Sequence, residues 1–373
     1  DQGSSIDNVL NNYPKLKRNF LFFIIQEYYR NYENLNQVLL KYTHNKTPKK
    51  ALTILKISLV LIFFSNKPHY AIVNDTVEVS KEFKKDGLVN AVLRSVLRDK
   101  DNIHFGKFIY PKFKKIVDKI FSSKSIREYI YQTLFEKPIN YQVSLKDQKD
   151  AIYEKRVFLL EKKIKTNCFV QDIGNFEIIR STKSFYYDKD ILDICSAPGG
   201  KSILLQSFGF KVCAIDKSQI QINKFYENLR RLRLNIDIKK IDFLKEKFLD
   251  KYNSILLDAP CSALGTFKRN PDVTKKVDQG QIKKHQKTQI EILEKSLKIL
   301  KKNGFLVYVV CSFHPFETID VIDKISQKHK NIKIHNINSE KMIKRKNGYF
   351  INPLKFKNFG GSDIFFVSVL EKK

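Results

Sequence analysis

Apolar side chains in the first hundred residues recur three and four positions apart, which is the spacing of amphipathic helices. The repeats include Leu16, Phe20, Phe23 and Ile24, and later Leu88, Val92, Leu93, Val96 and Leu97. Pro68 and Gly87 lie where one helix could turn into the next. The pattern predicts an all-helical block from about Tyr13 to Arg98.

The second half of the chain carries short apolar runs that stop at polar or glycine-rich turns and alternate with helical spacing. Such alternation is typical of repeated βα units on a mostly parallel sheet. The predicted strands are Ile191–Ile194, Val212–Ile215, Ile238–Ile241, Ser254–Leu257 and Phe305–Val310. Ser218 is expected to cap the helix after the second strand. Asn347-Gly348 and the run Ile364–Leu370 predict antiparallel strands that close the sheet.

Between these two regions, from Asp99 to about Lys183, neither pattern is sustained. This stretch is expected to hold a linker and a small α/β piece. The length of 373 residues agrees with two or three domains, at roughly 100–200 residues each.

The net charge indicates the class of partner. The chain has 69 Lys+Arg against 39 Asp+Glu, a formal charge of +30, which draws a protein to polyanions. Nucleic acid is therefore the first partner to consider. A purely compositional origin stays open, because an AT-rich genome enriches Lys, Asn, Ile and Phe together.

Cysteine usage and hydropathy exclude several other classes. The five cysteines form no CxxC pair, and their odd count and wide spacing argue against a disulfide framework and against a zinc site. The most apolar stretch, Ala51 to Phe64, contains Lys56 and falls short of the about 18 residues that a membrane span needs. Because the first residues also lack a secretory signal, we expect a cytoplasmic protein with free thiols and no membrane partner.

Chemically active residues follow the predicted strands, where ligands of open parallel sheets bind. The first strand leads into a Gly-Gly loop that is compatible with close approach of a ligand but is not the GxGxxG of dinucleotide sites. Asp193, Asp216 and Asp242 mark three successive strands and suit a nucleoside with a cationic centre, a description that fits S-adenosylmethionine. Helix capping is the alternative explanation for such strand-ending aspartates.

Two thiols follow the last two parallel strands. Asp258-Ala259-Pro260-Cys261-Ser262 ends the fourth strand and Cys311-Ser312 ends the fifth, so two cysteines and a carboxylate could meet beside the crevice. One isolated buried cysteine is more often inert packing. A thiolate beside a methyl donor could add to C6 of a pyrimidine and make C5 nucleophilic. The spacing does not say which thiol attacks; in cytosine-5 DNA methyltransferases it is the Pro-Cys residue.

Three motifs carry a family resemblance. The sequences from Asp193 to Lys201, from Asp258 to Ser262 and from Tyr308 to Ser312 resemble the motifs of the RsmB/Nop/Sun family of RNA cytosine-5 methyltransferases. The segments 67–78 and 87–94 resemble the NusB-like RNA-binding domain of the bacterial 16S rRNA members. The implied fold is multidomain: an all-α NusB-like domain and an α/β Rossmann-like class I methyltransferase domain with a mixed seven-stranded sheet. The expected bounds are 6–130, 131–183 for the connecting segment, and 184–373.

The resemblance also implies roles for single residues. Cys311 matches the nucleophile, Asp258 the acid that hydrogen-bonds the base near N3, and Cys261 the cysteine that assists loss of the C5 proton and product release. The cofactor contacts implied for S-adenosylmethionine are Cys195, Ser196, Ala197, Pro198, Gly199, Gly200, Lys201, Asp216, Asp242 and Asp258. His314 is interpreted as a satisfied or exposed loop histidine and left out of the site, whereas Lys268, Arg269, Lys275 and Lys276 are candidate phosphate contacts.

The chain departs from the family pattern at a few positions. Val310 replaces a Thr before the nucleophile, Ala263 and Ile364 replace glycines, and Gln142-Val143-Ser144 stands where Arg-Val-Asn is common. The prediction is an enzyme that uses S-adenosylmethionine to methylate C5 of a cytosine in rRNA, with 16S rRNA as the expected substrate, through a covalent Cys311–C6 adduct that Cys261 helps to release. RNA is the expected partner, no metal is expected, and the expected state is a monomer. The alternatives are a non-catalytic RNA-binding ribosome assembly factor, or an enzyme acting on another RNA, on DNA or on a protein.

Overall fold

The computed structural model describes residues 18–161, 163–186, 190–249, 251–275, 277 and 279–373. These residues form two compact units. One unit comprises the described residues up to Tyr110 together with Arg269–Lys275, and the other comprises the remainder. No helix in this part of the chain combines the length and the apolar character needed to cross a bilayer.

The first unit is helical, as predicted. Its main helices are α1 (Arg18–Arg30), α2 (Tyr32–Tyr42), α3 (Lys49–Phe64), α4 (His69–Lys81) and α5 (Asp86–Arg98). Helix α3 is the most apolar, and its Leu55 and Leu59 have no exposure in a core shared with Leu35 and Leu93. Pro68 directly precedes α4 as expected, whereas Gly87 lies inside the first turn of α5 rather than between helices.

A short segment from the second half of the sequence completes this unit. It ends in the helix α11 (Asp272–Lys275), whose numbering follows chain order. Gln26 of α1 donates to the backbone oxygen of Arg269 at 2.6 Å, and the Lys275 ammonium lies 2.9 Å from the centre of the Tyr32 ring. Lys275, a predicted phosphate contact, therefore makes a cation–π interaction within the unit. Lys276 lies outside the described residues.

The second unit begins with two helices and a small sheet. These are α6 (Pro111–Ile120), α7 (Lys124–Thr133), the antiparallel strands β1 (Tyr141–Ser144), β2 (Val157–Leu159) and β3 (Cys168–Val170), and α8 (Ile173–Thr182). Phe113 and Phe121 pack against Phe313 with ring centres 5.6 and 5.8 Å apart, which ties α6 to this unit. The predicted bounds 6–130, 131–183 and 184–373 stay a prediction.

The rest of the second unit is a large sheet flanked by helices. Its strands are β4 (Asp190–Ile194), β5 (Lys211–Asp216), β6 (Asp237–Lys240), β7 (Tyr252–Asp258), β8 (Leu300–Val310), β9 (Ile332–His335), β10 (Met342–Arg345), β11 (Gly348–Ile351) and β12 (Phe366–Lys372). Its helices are α9 (Gly200–Ser207), α10 (Gln219–Leu232), α12 (Gln279–Ile299) and α13 (Ile319–Lys328). Ser218 caps α10 by accepting from the backbone of Gln221, as predicted.

The sheet is mixed, as predicted for a Rossmann-like methyltransferase. The order is β10-β11-β12-β8-β7-β4-β5-β6, and β9 pairs with β12. Strands β4 to β8 pair in parallel and the later pairs are antiparallel. Among the described residues this sheet has nine strands instead of the predicted seven, because the hairpin β10–β11, which turns at Lys346-Asn347, extends the edge beyond β12.

The register of the parallel strands aligns their carboxyl ends. Ile194 is level with Ile215 and Leu257, and Asp258 is level with Val309. The residues that follow β4, β5, β7 and β8 therefore meet at one edge of the sheet, where ligands of such sheets bind.

Candidate active site

A pocket of about 310 Å³ opens at this edge of the sheet. Its apolar walls come from Ile215, Ile241, Phe243, Pro260 and Ile292. Seven of the predicted site residues line it: Cys195, Ala197, Asp216, Asp242, Asp258, Cys261 and Cys311. Apolar walls with a few carboxylates and thiols are the composition expected of a small-molecule site.

The loop between β4 and α9 contributes less side-chain surface than the sequence indicated. Ser196, Pro198, Gly199, Gly200 and Lys201 are not among the described residues that line the pocket. Gly199 has a φ of +98°, and a Cβ built there would lie 2.2 Å from the ring of Phe225. The backbone conformation and this packing already require glycine at position 199, whether or not a ligand approaches it. A Cβ at Gly200 would make only an ordinary contact of 3.6 Å with Gln171.

Asp193 is not among the described residues that line the pocket. It has no exposure, and Ser202 donates to its carboxylate at 2.5 Å. Burial raises the pKa of Asp193 to about 7, although the Ser202 hydrogen bond opposes the shift. Its predicted grouping with Asp216 and Asp242 as a nucleoside-facing set was wrong, because the helix that follows β4 covers it.

Asp216 and Asp242 do reach the pocket. Asp216, at the end of β5, accepts backbone hydrogen bonds from Ala197 at 3.1 Å and from Ser218 at 2.8 Å, which fix its carboxylate. Burial raises the pKa of Asp216, and these backbone donors lower it in part. Asp242 accepts from the backbone of Leu244 at 3.2 Å and stays partly exposed. Both carboxylates can accept hydrogen bonds from a ribose or an adenine amine.

Asp258 and Lys201 form an ion pair across the site. The Lys201 ammonium lies 2.6 Å from Asp258 Oδ2, and the Lys201 side chain is only 8% exposed. Burial acts to lower the pKa of Lys201, but the charge and hydrogen bond of Asp258 outweigh it and the pKa is raised. Lys201, predicted as a cofactor contact, thus positions a carboxylate that lines the pocket.

The two cysteines meet, as the sequence required. Cys261 Sγ lies 3.1 Å from Cys311 Sγ, although 50 residues separate them in the chain. Three hydrogen bonds hold the loop after β7 in place: Ala259 N donates to Val309 O, Gly265 N to Cys311 O, and Gln289 Nε2 to Pro260 O, each at 2.9 Å. The hydrogen bond to Cys311, followed by burial, raises the pKa of Cys261 well above its usual range.

Sequence reasoning missed Glu317. This fully buried carboxylate accepts from the backbone and hydroxyl of Ser262 and from the hydroxyl of Ser312, the residues that follow the two cysteines. A lone acidic residue six positions after Cys311 gives too weak a signal to be singled out, because nothing in the sequence reveals that it is buried.

Several other predictions can be assessed. His314 is buried and its Nδ1 accepts from the backbone of Phe316, while burial lowers its pKa to about 4, in agreement with a satisfied loop histidine. The prediction of Lys268 as a phosphate contact was wrong, since Lys268 is only 6% exposed. Its ammonium donates a hydrogen bond to Gly360 O and pairs with the Glu136 carboxylate. Ala263 adopts a φ of +58°, the left-handed conformation that the more usual glycine would favour.

Family models match both parts of the chain. The model described as 16S rRNA methyltransferase RsmB/F matches residues 185–371, and the model of the NusB family matches residues 1–98. Similar curated proteins include the ribosomal RNA small subunit methyltransferase B of Serratia proteamaculans, 26% identical over 342 residues that span 79% of this chain and 77% of that protein. The probable counterpart of Coxiella burnetii is 27% identical, and the match covers 73% of each chain.

Solved structures share the fold. The crystal structure of PH0851 superposes with a TM-score of 0.69 at 17% identity and covers 95% of this chain and 90% of that one. A methyltransferase homologue from Pyrococcus horikoshii has a TM-score of 0.54 at 19% identity and covers 71% of this chain and all of its own.

Proposed function

The chain belongs to the 16S rRNA methyltransferase RsmB/F family, and from this membership we propose that it methylates C5 of a cytosine in rRNA, with 16S rRNA or an assembly intermediate as substrate. The observation that carries the proposal is the 3.1 Å approach of Cys261 to Cys311 in a pocket that Asp258 also lines. A thiol, a second thiol and a carboxylate are the groups that covalent pyrimidine methylation uses.

The pocket fits S-adenosylmethionine. Asp216, whose carboxylate two backbone donors fix, would hold the ribose hydroxyls. Asp242 would accept from the adenine amine or ribose, and Ile241, Phe243 and Ile292 would pack on the base. When bound, the cofactor supplies an electrophilic methyl group.

The residues of the chain would carry out the remaining steps on the cytosine. The Cys311 thiol would lose its proton and its sulfur would form a bond to C6, so the electron pair of the C5–C6 double bond would make C5 nucleophilic. C5 would then take the methyl group, whose bond to the sulfonium sulfur of the cofactor breaks. Asp258, held by Lys201, would lie beside N3 and pass to it the proton that Cys311 gives up, which offsets the negative charge that the addition places on N3. The C5 proton would then pass to solvent water as the sulfur–C6 bond breaks, which restores the C5–C6 double bond, and Cys311 would recover its proton from N3.

Cys261 would assist this last step. Its raised pKa keeps the thiol protonated at neutral pH, so it can donate a hydrogen bond to the Cys311 sulfur. Cys311 is assigned as the nucleophile from the family motif that it matches.

Substitution of each cysteine tests the proposal. Cys311→Ser is expected to abolish methyl transfer to an rRNA fragment, because the nucleophile is lost. Cys261→Ser is expected to form the adduct and release it slowly, which gives a covalent RNA–protein band on a denaturing gel. Absence of that band would contradict the assigned roles. Bisulfite sequencing of rRNA from cells with and without the gene would identify the cytosine.

A calorimetric titration with S-adenosylmethionine separates the enzyme from a non-catalytic assembly factor. The proposed enzyme binds the cofactor, and Asp216→Ala should weaken binding because it removes the fixed carboxylate. Absence of binding by the unaltered protein would favour the assembly factor.

A further inference from the structure

Glu317 is a buried carboxylate for which the proposed chemistry has no step. It has no exposure and lies in the turn Pro315–Glu317 that follows the second cysteine. Ser262 N donates to Oε1 at 2.7 Å, and the hydroxyls of Ser262 and Ser312 each donate to Oε2 at 2.6 Å. Burial of a carboxylate is costly unless hydrogen bonds compensate for the lost water, and these three donors supply that compensation for Glu317.

The donors to this carboxylate identify what it holds together. Ser262 directly follows Cys261 in the loop after β7, and Ser312 directly follows Cys311 after β8. One carboxylate therefore binds the loops of both thiols. The turn that carries Glu317 is itself fixed to β8, because the buried Tyr308 hydroxyl donates to Glu317 O at 2.8 Å. These contacts form a continuous connection from the sheet to each cysteine.

We propose that Glu317 is a positioning residue of the methyl-transfer site: through Ser262 and Ser312 it holds the Cys261 and Cys311 loops at a fixed separation, so that Cys261 can act on the adduct that Cys311 forms. The adduct part rests on the proposed function, whereas the separation of the sulfur atoms is a property of the fold alone. The two parts can therefore be tested independently.

A matched set of variants distinguishes positioning from general stability. Glu317→Gln keeps the size of the side chain and removes its charge and one acceptor oxygen, and Ser312→Ala removes a single donor. Glu177→Gln is the control: Glu177 also has no exposure and accepts from the hydroxyls of Tyr153, Ser181 and Ser339 at 2.6 Å, and it pairs in addition with Arg180 at 2.9 Å, so its replacement perturbs the fold at least as much. None of these control residues is among the described residues that line the pocket.

The first measurement reports the thiol separation without any turnover. Phenylarsine oxide binds two neighbouring thiols at once. Its binding to Cys261→Ser, which lacks one thiol of the pair, measures the background binding to the other cysteines. Glu317→Gln is expected to lower its affinity about tenfold, the value of about one hydrogen bond to a charged group, and Ser312→Ala is expected to lower it less. Glu177→Gln should match the unaltered protein. Unchanged affinity in Glu317→Gln, folded by circular dichroism, would overturn the proposal.

The second measurement reports the chemistry. Glu317→Gln is expected to accumulate the covalent RNA–protein band, as Cys261→Ser does, and to lower kcat with KM for RNA unchanged. If the covalent RNA–protein band and the turnover of Glu317→Gln fall in equal proportion, the variant is simply less stable, and the positioning role is overturned. If Glu317→Gln fails to fold, Ser262→Ala and Ser312→Ala carry both measurements. Absence of any band in Cys261→Ser would overturn the proposed function, while the arsenical comparison would still decide on the thiol separation.

Discussion

Asp193 and Asp258 show how the register of single residues on neighbouring strands decides their chemistry. Both lie at the ends of parallel strands, yet Asp258 lines the pocket and pairs with Lys201, whereas helix α9 covers Asp193. The neutral form of Asp193 is favoured in the folded protein, because burial raises its pKa from 3.8 to about 7.

This shift predicts a pH-dependent stability. In the unfolded chain Asp193 loses its proton near its ordinary pKa, so its contribution to stability is complete below about pH 4 and is lost as the pH rises to about 7. Asp193→Asn stays neutral and can still accept from Ser202. The free energy of unfolding of the unaltered protein should therefore fall relative to the variant by up to about 1.4 kcal/mol per pH unit in this range.

Urea unfolding between pH 4 and 8 measures this difference. Asp190→Asn is the control, because Asp190 lies on the same strand with an exposed side chain. Curves for Asp193→Asn and the unaltered protein that stay parallel across the range would contradict the raised pKa.

The pairs around the site could not be read from the sequence, whereas the reactive groups could. Cys261, Cys311, Asp216 and Asp258 stand out because each follows a strand at a known edge. Contacts between distant residues leave no local pattern, so neither the Lys201–Asp258 pair, 57 positions apart, nor the contact of Glu317 with Ser262, 55 positions apart, was predicted.

At the scale of elements, the short helix Leu264–Thr266 after the Pro-Cys loop joins three strands. Gly265 N donates to Cys311 O at 2.9 Å, and Ile364 N donates to Gly265 O at 3.0 Å, so this residue connects the ends of β7 and β8 with the segment that leads into β12. A Cβ at Gly265 would lie 1.8 Å from Ile364 O. The backbone approach itself therefore requires glycine here.

Gly265→Ala is expected to destabilise the second unit by about 3 kcal/mol, because backbone must move and two hydrogen bonds are strained. Gly200→Ala is the control in the same unit and should stay within about 0.5 kcal/mol of the unaltered protein, since its Cβ makes an ordinary contact. Chemical unfolding of both variants measures the difference. Equal stability of the two variants would contradict the close approach at Gly265.

The elements themselves were predicted well where one pattern dominates. Strands β4, β5 and β7 include the predicted runs, since strands buried on both faces leave continuous apolar stretches. Strand β8 begins at Leu300, five residues before the predicted run. The prediction began too late because Lys301, Lys302 and Asn303 interrupt the apolar pattern. The segment 99–183 was weakly predicted, because the short strands β1 to β3 give too few residues for a clear alternation.

At the scale of the whole molecule, the charge of +30 has two explanations, RNA binding or composition. The two explanations predict different roles for exposed lysines near the pocket and far from it. Lys283, Lys284 and Lys287 are exposed on α12, the helix whose Thr288 and Ile292 line the pocket. Lys301 and Lys302 are also exposed but lie at the amino end of β8, about 30 Å of strand from Cys311.

If RNA crosses the pocket, the lysines of α12 should contact phosphates and those at the start of β8 should not. Each phosphate contact to a single strand adds about 0.7 to the slope of log affinity against log salt. Replacement of Lys283, Lys284 and Lys287 by Gln should therefore reduce the magnitude of the slope by about 2, whereas Gln at Lys301 and Lys302 should leave it unchanged. Filter binding of an rRNA fragment over a range of KCl concentrations measures both slopes. Equal, small changes per lysine in the two variants would favour the compositional explanation, because a charge without a defined phosphate partner contributes only through the net field of the protein.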